Sequence, residues 1–104
     1  MTNTPQEITI RGLHDNETVG KFCAPVVSGL AVHRSLDGDR HDWRVTHAAT
    51  GWTVGVRYLR TKRAATWARD QLLLLGDWAP EDVMPLVRAQ VARIREIAQE
   101  ARYK

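Results

Sequence analysis

The chain predicts an α+β domain in which a small antiparallel β-sheet of three to four strands packs against one medium helix and one longer C-terminal amphipathic helix. Three observations predict it. Apolar and polar residues alternate in runs before residue 60, an Asp-Gly pair separates two such runs, and after residue 61 apolar residues recur every three or four positions. At 104 residues one domain, 1–104, is the natural count, mainly β over 7–59 and helical over 61–75 and 82–102.

The first strand is Glu7 to Arg11, where Ile8 and Ile10 point one way and Glu7, Thr9 and Arg11 the other. His14-Asp15-Asn16-Glu17 reads as its turn. Val19, Phe22 and Val26 fit a short strand or a loop against the core, and Pro25 breaks any helix there. Asp37-Gly38 is a two-residue hairpin signal, because a type I′ turn needs positive φ at both positions. Counting outward from it sets Val32 opposite Trp43, Leu30 opposite Val45, His33 opposite Asp42 and Arg34 opposite His41. The next turn lies near Ala49-Thr50-Gly51. Trp43, Val45 and His47 share a face with Trp52, Val54, Val56 and Tyr58 only if that loop has an even number of residues. The other face then shows Arg44, Thr46, Thr53 and Arg57 to solvent.

Thr61 is the expected N-cap of the first helix, with Ala64, Ala65, Ala68, Leu72 and Leu75 facing inward and Gly76 as the stop. Asp82 as N-cap places Pro85 in the first turn of the last helix, where no N–H is needed. From there Val83, Leu86, Val87, Val91, Ile94, Ile97, Ala98 and Ala101 form a stripe of about five turns.

Composition bounds the rest. Apolar residues make up 43% and charged residues 26%, too apolar for disorder. Cys23 is the single cysteine, so no internal disulfide forms, which fits a reducing, cytoplasmic setting. The longest apolar run, Leu72 to Leu75, falls far short of the ~20 residues of a membrane span, so no membrane partner is expected. His14, His33, His41 and His47 lie nineteen, eight and six residues apart, without the tight pairs of a zinc site. No nucleophile elbow or framed carboxylate pair is present, and His47 reads as a core-edge imidazole rather than a base. No metal, cofactor or catalytic residue is therefore expected. Trp43 and Trp52 belong to the apolar sheet face. Trp67 and Trp78 fall off the stripes, where packing is the usual role and base stacking beside Arg the functional one.

Charge is where a function shows. Net charge is +3, but Trp43 to Arg69 carries Arg44, Arg57, Arg60, Lys62, Arg63 and Arg69 with no Asp or Glu, so that window is +6 and the remainder −3. Twelve of the fifteen basic residues are Arg, the side chain suited to bidentate phosphate contacts. Lys62 and Arg63 sit in a first helical turn, against the helix dipole. The window predicts a nucleic-acid surface made of Arg44, Thr46, Thr53, Arg57, Arg60, Lys62 and Arg63. The bland alternative is a solvated face with counter-charges supplied by Glu17, Asp70 or Asp77.

Over residues 30 to 75, the order hairpin, third strand, Thr-capped Ala-rich helix resembles the three-stranded-sheet-plus-helix DNA-binding domains of AP2 type and integrase arm-binding type. Thr61-Lys62-Arg63-Ala64-Ala65-Thr66-Trp67-Ala68 is similar to the basic helix start of double-stranded-RNA-binding domains. The diagnostic motifs of these families are absent. The AP2-type resemblance implies a sheet presented to the DNA major groove, with Arg44, Thr46, Thr53 and Arg57 at the matching positions. The other expectation is a protein-interaction module, in which residues 83–101 form a homodimer interface or dock on a partner such as a host or phage enzyme that the protein inhibits.

Overall fold

Alternation and turn chemistry produce an antiparallel meander. A computed structural model describes residues 4–11, 18–34 and 42–104. The sheet runs in the order β1 (Thr4–Arg11), β2 (Thr18–Val27), β3 (Leu30–Arg34), β4 (Trp43–His47), β5 (Trp52–Thr53), so the four main strands are extended by a two-residue edge. Three helices follow: α1 (Lys62–Leu73), α2 (Met84–Ala89) and α3 (Val91–Ala101). The α+β class is as expected.

The segment left open between strand and loop is strand β2, paired along its length with β1. It joins β3 through Ser28-Gly29, with φ of 50° and 94°, a two-residue turn with both central residues at positive φ. This Ser-Gly signal was as readable as the Asp-Gly one. Gly29 is required twice, since a Cβ there would stand 2.2 Å from the carbonyl oxygen of Trp78.

The β3–β4 register differs from the expected one. Leu30 pairs with His47, Val32 with Val45, His33 with Arg44 and Arg34 with Trp43, a slip of two residues. The turn at Asp37-Gly38 and the histidine His41 lie outside the described residues. An even slip keeps every side chain on its face, so Leu30, Val32 and Val45 still reach the core. The β4–β5 loop has four residues, as parity demanded: His47 pairs with Trp52 and Thr46 with Thr53.

Beyond Thr53 the expected strand breaks. Three steps along β4, from Thr46 to Trp43, face six on the returning chain, from Thr53 to Leu59. Gly55 (φ 87°) and Tyr58 (φ 62°) absorb the excess. Val56 and Leu59 are fully buried, whereas Tyr58, expected on the apolar face, is 55% exposed and its N–H donates to Asp42 Oδ1 at 2.7 Å.

Thr61 caps α1 as predicted, its Oγ1 accepting the Ala64 N–H at 3.1 Å, and Ala64, Ala65, Ala68 and Leu72 are buried. Gly76 is not at positive φ. Its role is space, because a Cβ would meet Leu86 Cδ1 at 2.7 Å. Trp78, in the connector, is fully buried and donates its indole N–H at 2.7 Å to the Leu72 carbonyl, which also accepts the Leu75 N–H at 3.0 Å.

The expected single helix over 82–102 is two helices. Gln90 (φ −116°, ψ 17°) interrupts it, and α2 starts one residue later than expected, with Asp82 Oδ1 accepting the Met84 N–H at 3.1 Å. Neither proline nor glycine marks the break. Packing accounts for it: Leu86 on α2 seats against Gly76, while Ile94, Ile97 and Ala101 on α3 join the core.

Candidate functional site

The side of the sheet away from the helices is not an open platform. Thr46 and Ala31 are fully buried there and His33 is 4% exposed. Thr46 Oγ1 is hydrogen-bonded to His33 Nε2, and His33 Nδ1 donates to the Arg34 carbonyl at 2.7 Å. That arrangement fixes the tautomer: Nε2 accepts from the threonine hydroxyl. Burial, the dominant cause, holds the His33 pKa below the ordinary 6.5, with the Arg44 charge acting the same way and the Arg34 hydrogen bond and Asp42 opposing.

Arg44, two positions from Asp42 on the same side of the strand, is paired with it. Its Nη2 lies 2.6 Å from Oδ2 and its Nε 3.2 Å from both oxygens, while Asp42 is 1% exposed. The guanidinium also lies 5.9 Å from the centre of the Tyr58 ring. The expected exposure is thereby corrected at two positions: Thr46 is inside the fold, and Arg44 is paired with Asp42. Thr53 is half-buried.

The helix-junction part of the window is different. Arg60, Lys62 and Arg63 are exposed, and Arg57 is half-buried with its guanidinium 5.1 Å from the Tyr58 ring centre. Among the described residues no carboxylate lies within ion-pair distance of any of the four. The last cation of the window, Arg69, is paired with Asp70 at 2.9 Å.

The fold brings further residues to this junction. The start of α1 lies beside the end of α3, and Arg60, Thr61, Ala64, Ala101, Arg102, Tyr103 and Lys104 line one cleft of about 530 Å³. Lys104 Nζ stands 4.6 Å from the Trp67 ring centre, and Tyr103 is 91% exposed. The basic-aromatic-basic run Arg102-Tyr103-Lys104 was the available signal; its position beside Arg60 was not. Arg102 and Lys104 have an ordinary reason to be there, since cations favour a helix C-terminus. Lys62 and Arg63 have none, for they oppose the α1 dipole, whose first turn carries no acid. The acids Asp77, Glu81 and Asp82 follow the far end of α1, about 18 Å away along a 12-residue helix.

His47, the best sequence candidate for a base, is 1% exposed with both ring nitrogens engaged. Nε2 lies 2.8 Å and 2.9 Å from the carbonyl oxygens of Trp78 and Pro80, and Nδ1 2.8 Å from Thr50 Oγ1. It ties β4 to the 78–80 connector. Among the described residues no three His, Cys, Asp or Glu side chains gather as metal ligands, and no helix is long and apolar enough to cross a membrane. Compared with known protein families, curated proteins and solved structures, the chain matches none.

Proposed function

We propose that the protein binds nucleic acid through the phosphate backbone, at the end of the molecule where α1 begins and α3 finishes. The observation that carries this reading is the set Arg57, Arg60, Lys62 and Arg63, which has no carboxylate in reach among the described residues, and of which Arg60 lines one cleft with Arg102 and Lys104. Uncompensated cations at a helix start cost stability unless an anion faces them, and a field of one sign attracts a polyanion. Tyr58 and Tyr103, both exposed, supply flat faces beside the cations on which unpaired bases stack. Backbone contact of this kind positions a nucleic acid without reading its sequence.

The test is a salt titration of binding to duplex DNA, single-stranded DNA and RNA. With about four phosphates neutralised on a duplex, affinity falls about 100-fold between about 50 and about 200 mM salt. Replacing Arg60, Lys62 and Arg63 together with Ala lowers the log–log slope by about 3, while Arg44→Ala leaves it unchanged. Absence of binding to all three polymers at low salt overturns the proposal.

A further inference from the structure

Away from the basic end, the β4–β5 turn and the kinked pair α2–α3 enclose an apolar groove of about 610 Å³. Val83 and Ile94, both nearly buried, belong to its floor, and Met84 (42% exposed) and Val91 (43% exposed) rise on the helical side with Trp52 (40% exposed) opposite. Val83, Val87, Val91 and Ile94 follow one another at helical spacing, so the groove's helical wall is a single stripe crossing the break at Gln90. Leu86 and Val87 of α2 pack partly against the core, but no residue of α2 is fully buried and Met84 stays exposed.

Charge at the two ends of this stripe decides what covers it. Glu81 and Asp82 line the groove where α2 begins, and Arg95 lines it beyond Val91 on α3. No carboxylate among the described residues pairs with Arg95. An apolar stripe that is acidic at one end and basic at the other is complementary to itself under a two-fold rotation: the acids of one copy meet the arginine of the other, twice. A single-charge ligand would leave one end unmatched. We infer that the occupant of this groove is a second copy of the chain, in an isologous dimer centred on Met84, Val87 and Val91 and bounded by two Glu81/Asp82–Arg95 contacts. The inference is independent of the nucleic-acid reading, since the groove shares no residue with the basic cleft.

Sedimentation equilibrium between about 1 µM and about 1 mM, a range that brackets weak dimers, tests it. The wild type shows a monomer–dimer equilibrium, and Val91→Glu, at an exposed position, weakens it at least about tenfold with an unchanged far-UV circular dichroism spectrum. Two charge variants make the test specific. Arg95→Glu leaves only acids at the stripe's ends, and the double change Glu81→Lys, Asp82→Lys leaves only bases, so each alone is a monomer. Mixed, they form a heterodimer, because both end contacts are restored. A wild type that stays monomeric throughout overturns the inference. So does a dimer that survives Val91→Glu and both charge variants, for it uses another face.

Discussion

Gly29→Ala isolates the cost of bringing the β2–β3 turn against the Trp78 connector. Two terms act at this position. At φ 94° any residue with a Cβ is strained, by about 1–2 kcal/mol on the scale of left-handed conformations. The new methyl would also stand 2.2 Å from the Trp78 carbonyl oxygen and 2.9 Å from the Ala79 nitrogen, so the connector must retreat. Forcing a methyl into packed structure costs about 1–3 kcal/mol. The displaced carbonyl is an acceptor for His47 Nε2 at 2.8 Å, and loosening that bond adds about 1 kcal/mol. The sum is about 3–6 kcal/mol, against a total of about 5–15 kcal/mol for a domain. Gly55→Ala is the control. Its φ of 87° is nearly the same, but its Cβ would meet only Ile94 Cγ2 at 3.9 Å, an ordinary contact. It therefore loses about 1–2 kcal/mol. The entropy that alanine removes from the unfolded chain is common to both variants and cancels in their difference. Urea unfolding followed by tryptophan fluorescence measures both. Gly29→Ala is expected to be less stable than Gly55→Ala by about 2–4 kcal/mol, worth about 4–8 °C of Tm per kcal/mol. A difference below about 0.5 kcal/mol, the usual error of additivity, refutes the contact between turn and connector.

Two further outcomes follow from the buried polar groups on the sheet. Asp42→Ala removes the ion pair with the half-buried Arg44 and the acceptor of the Tyr58 N–H, and is expected to cost about 2–4 kcal/mol in urea unfolding; Asp42→Asn, which keeps an acceptor oxygen, costs less. His33 is held below its ordinary pKa of 6.5 in the folded state, so the unfolded chain takes up that proton first as pH falls. Its contribution is complete above about pH 6.5 and shrinks as pH drops from there toward the folded pKa. The stability difference between wild type and His33→Gln, measured from about pH 8 down to about pH 5, therefore narrows in that direction; a difference that holds constant contradicts a neutral buried His33.

Legibility in the sequence followed the range of the interaction. Thr61 was readable as a cap because capping is settled within four residues. The parity of the β4–β5 loop was readable because side chains alternate with period two, and that same period let the β3–β4 register slip by two residues without moving Leu30, Val32 or Val45 off the core face. The burial of Trp78, the true roles of Gly29 and Gly76, and the break at Gln90 depend on elements that meet only after folding. No local pattern encodes that the carbonyl of Trp78 closes on the turn at Gly29, or that a leucine needs the space a glycine leaves.

The candidate site divides in the same way. The uncompensated run Arg57, Arg60, Lys62 and Arg63 is a property of composition and stands in the chain as written. Whether each charge faces water was decided by tertiary structure. Asp42 lies next to Arg44 because strand geometry puts alternate residues on one side, and Thr46 is buried there, hydrogen-bonded to His33 of the neighbouring strand. Arg102, Tyr103 and Lys104 reach the cleft beside Arg60 because α3 packs along α1 so that its end meets the other's beginning. Periodicity determines which face of a helix is buried, since it depends only on spacing along the chain. It leaves open which ends become neighbours, since that depends on how two apolar stripes fill one core.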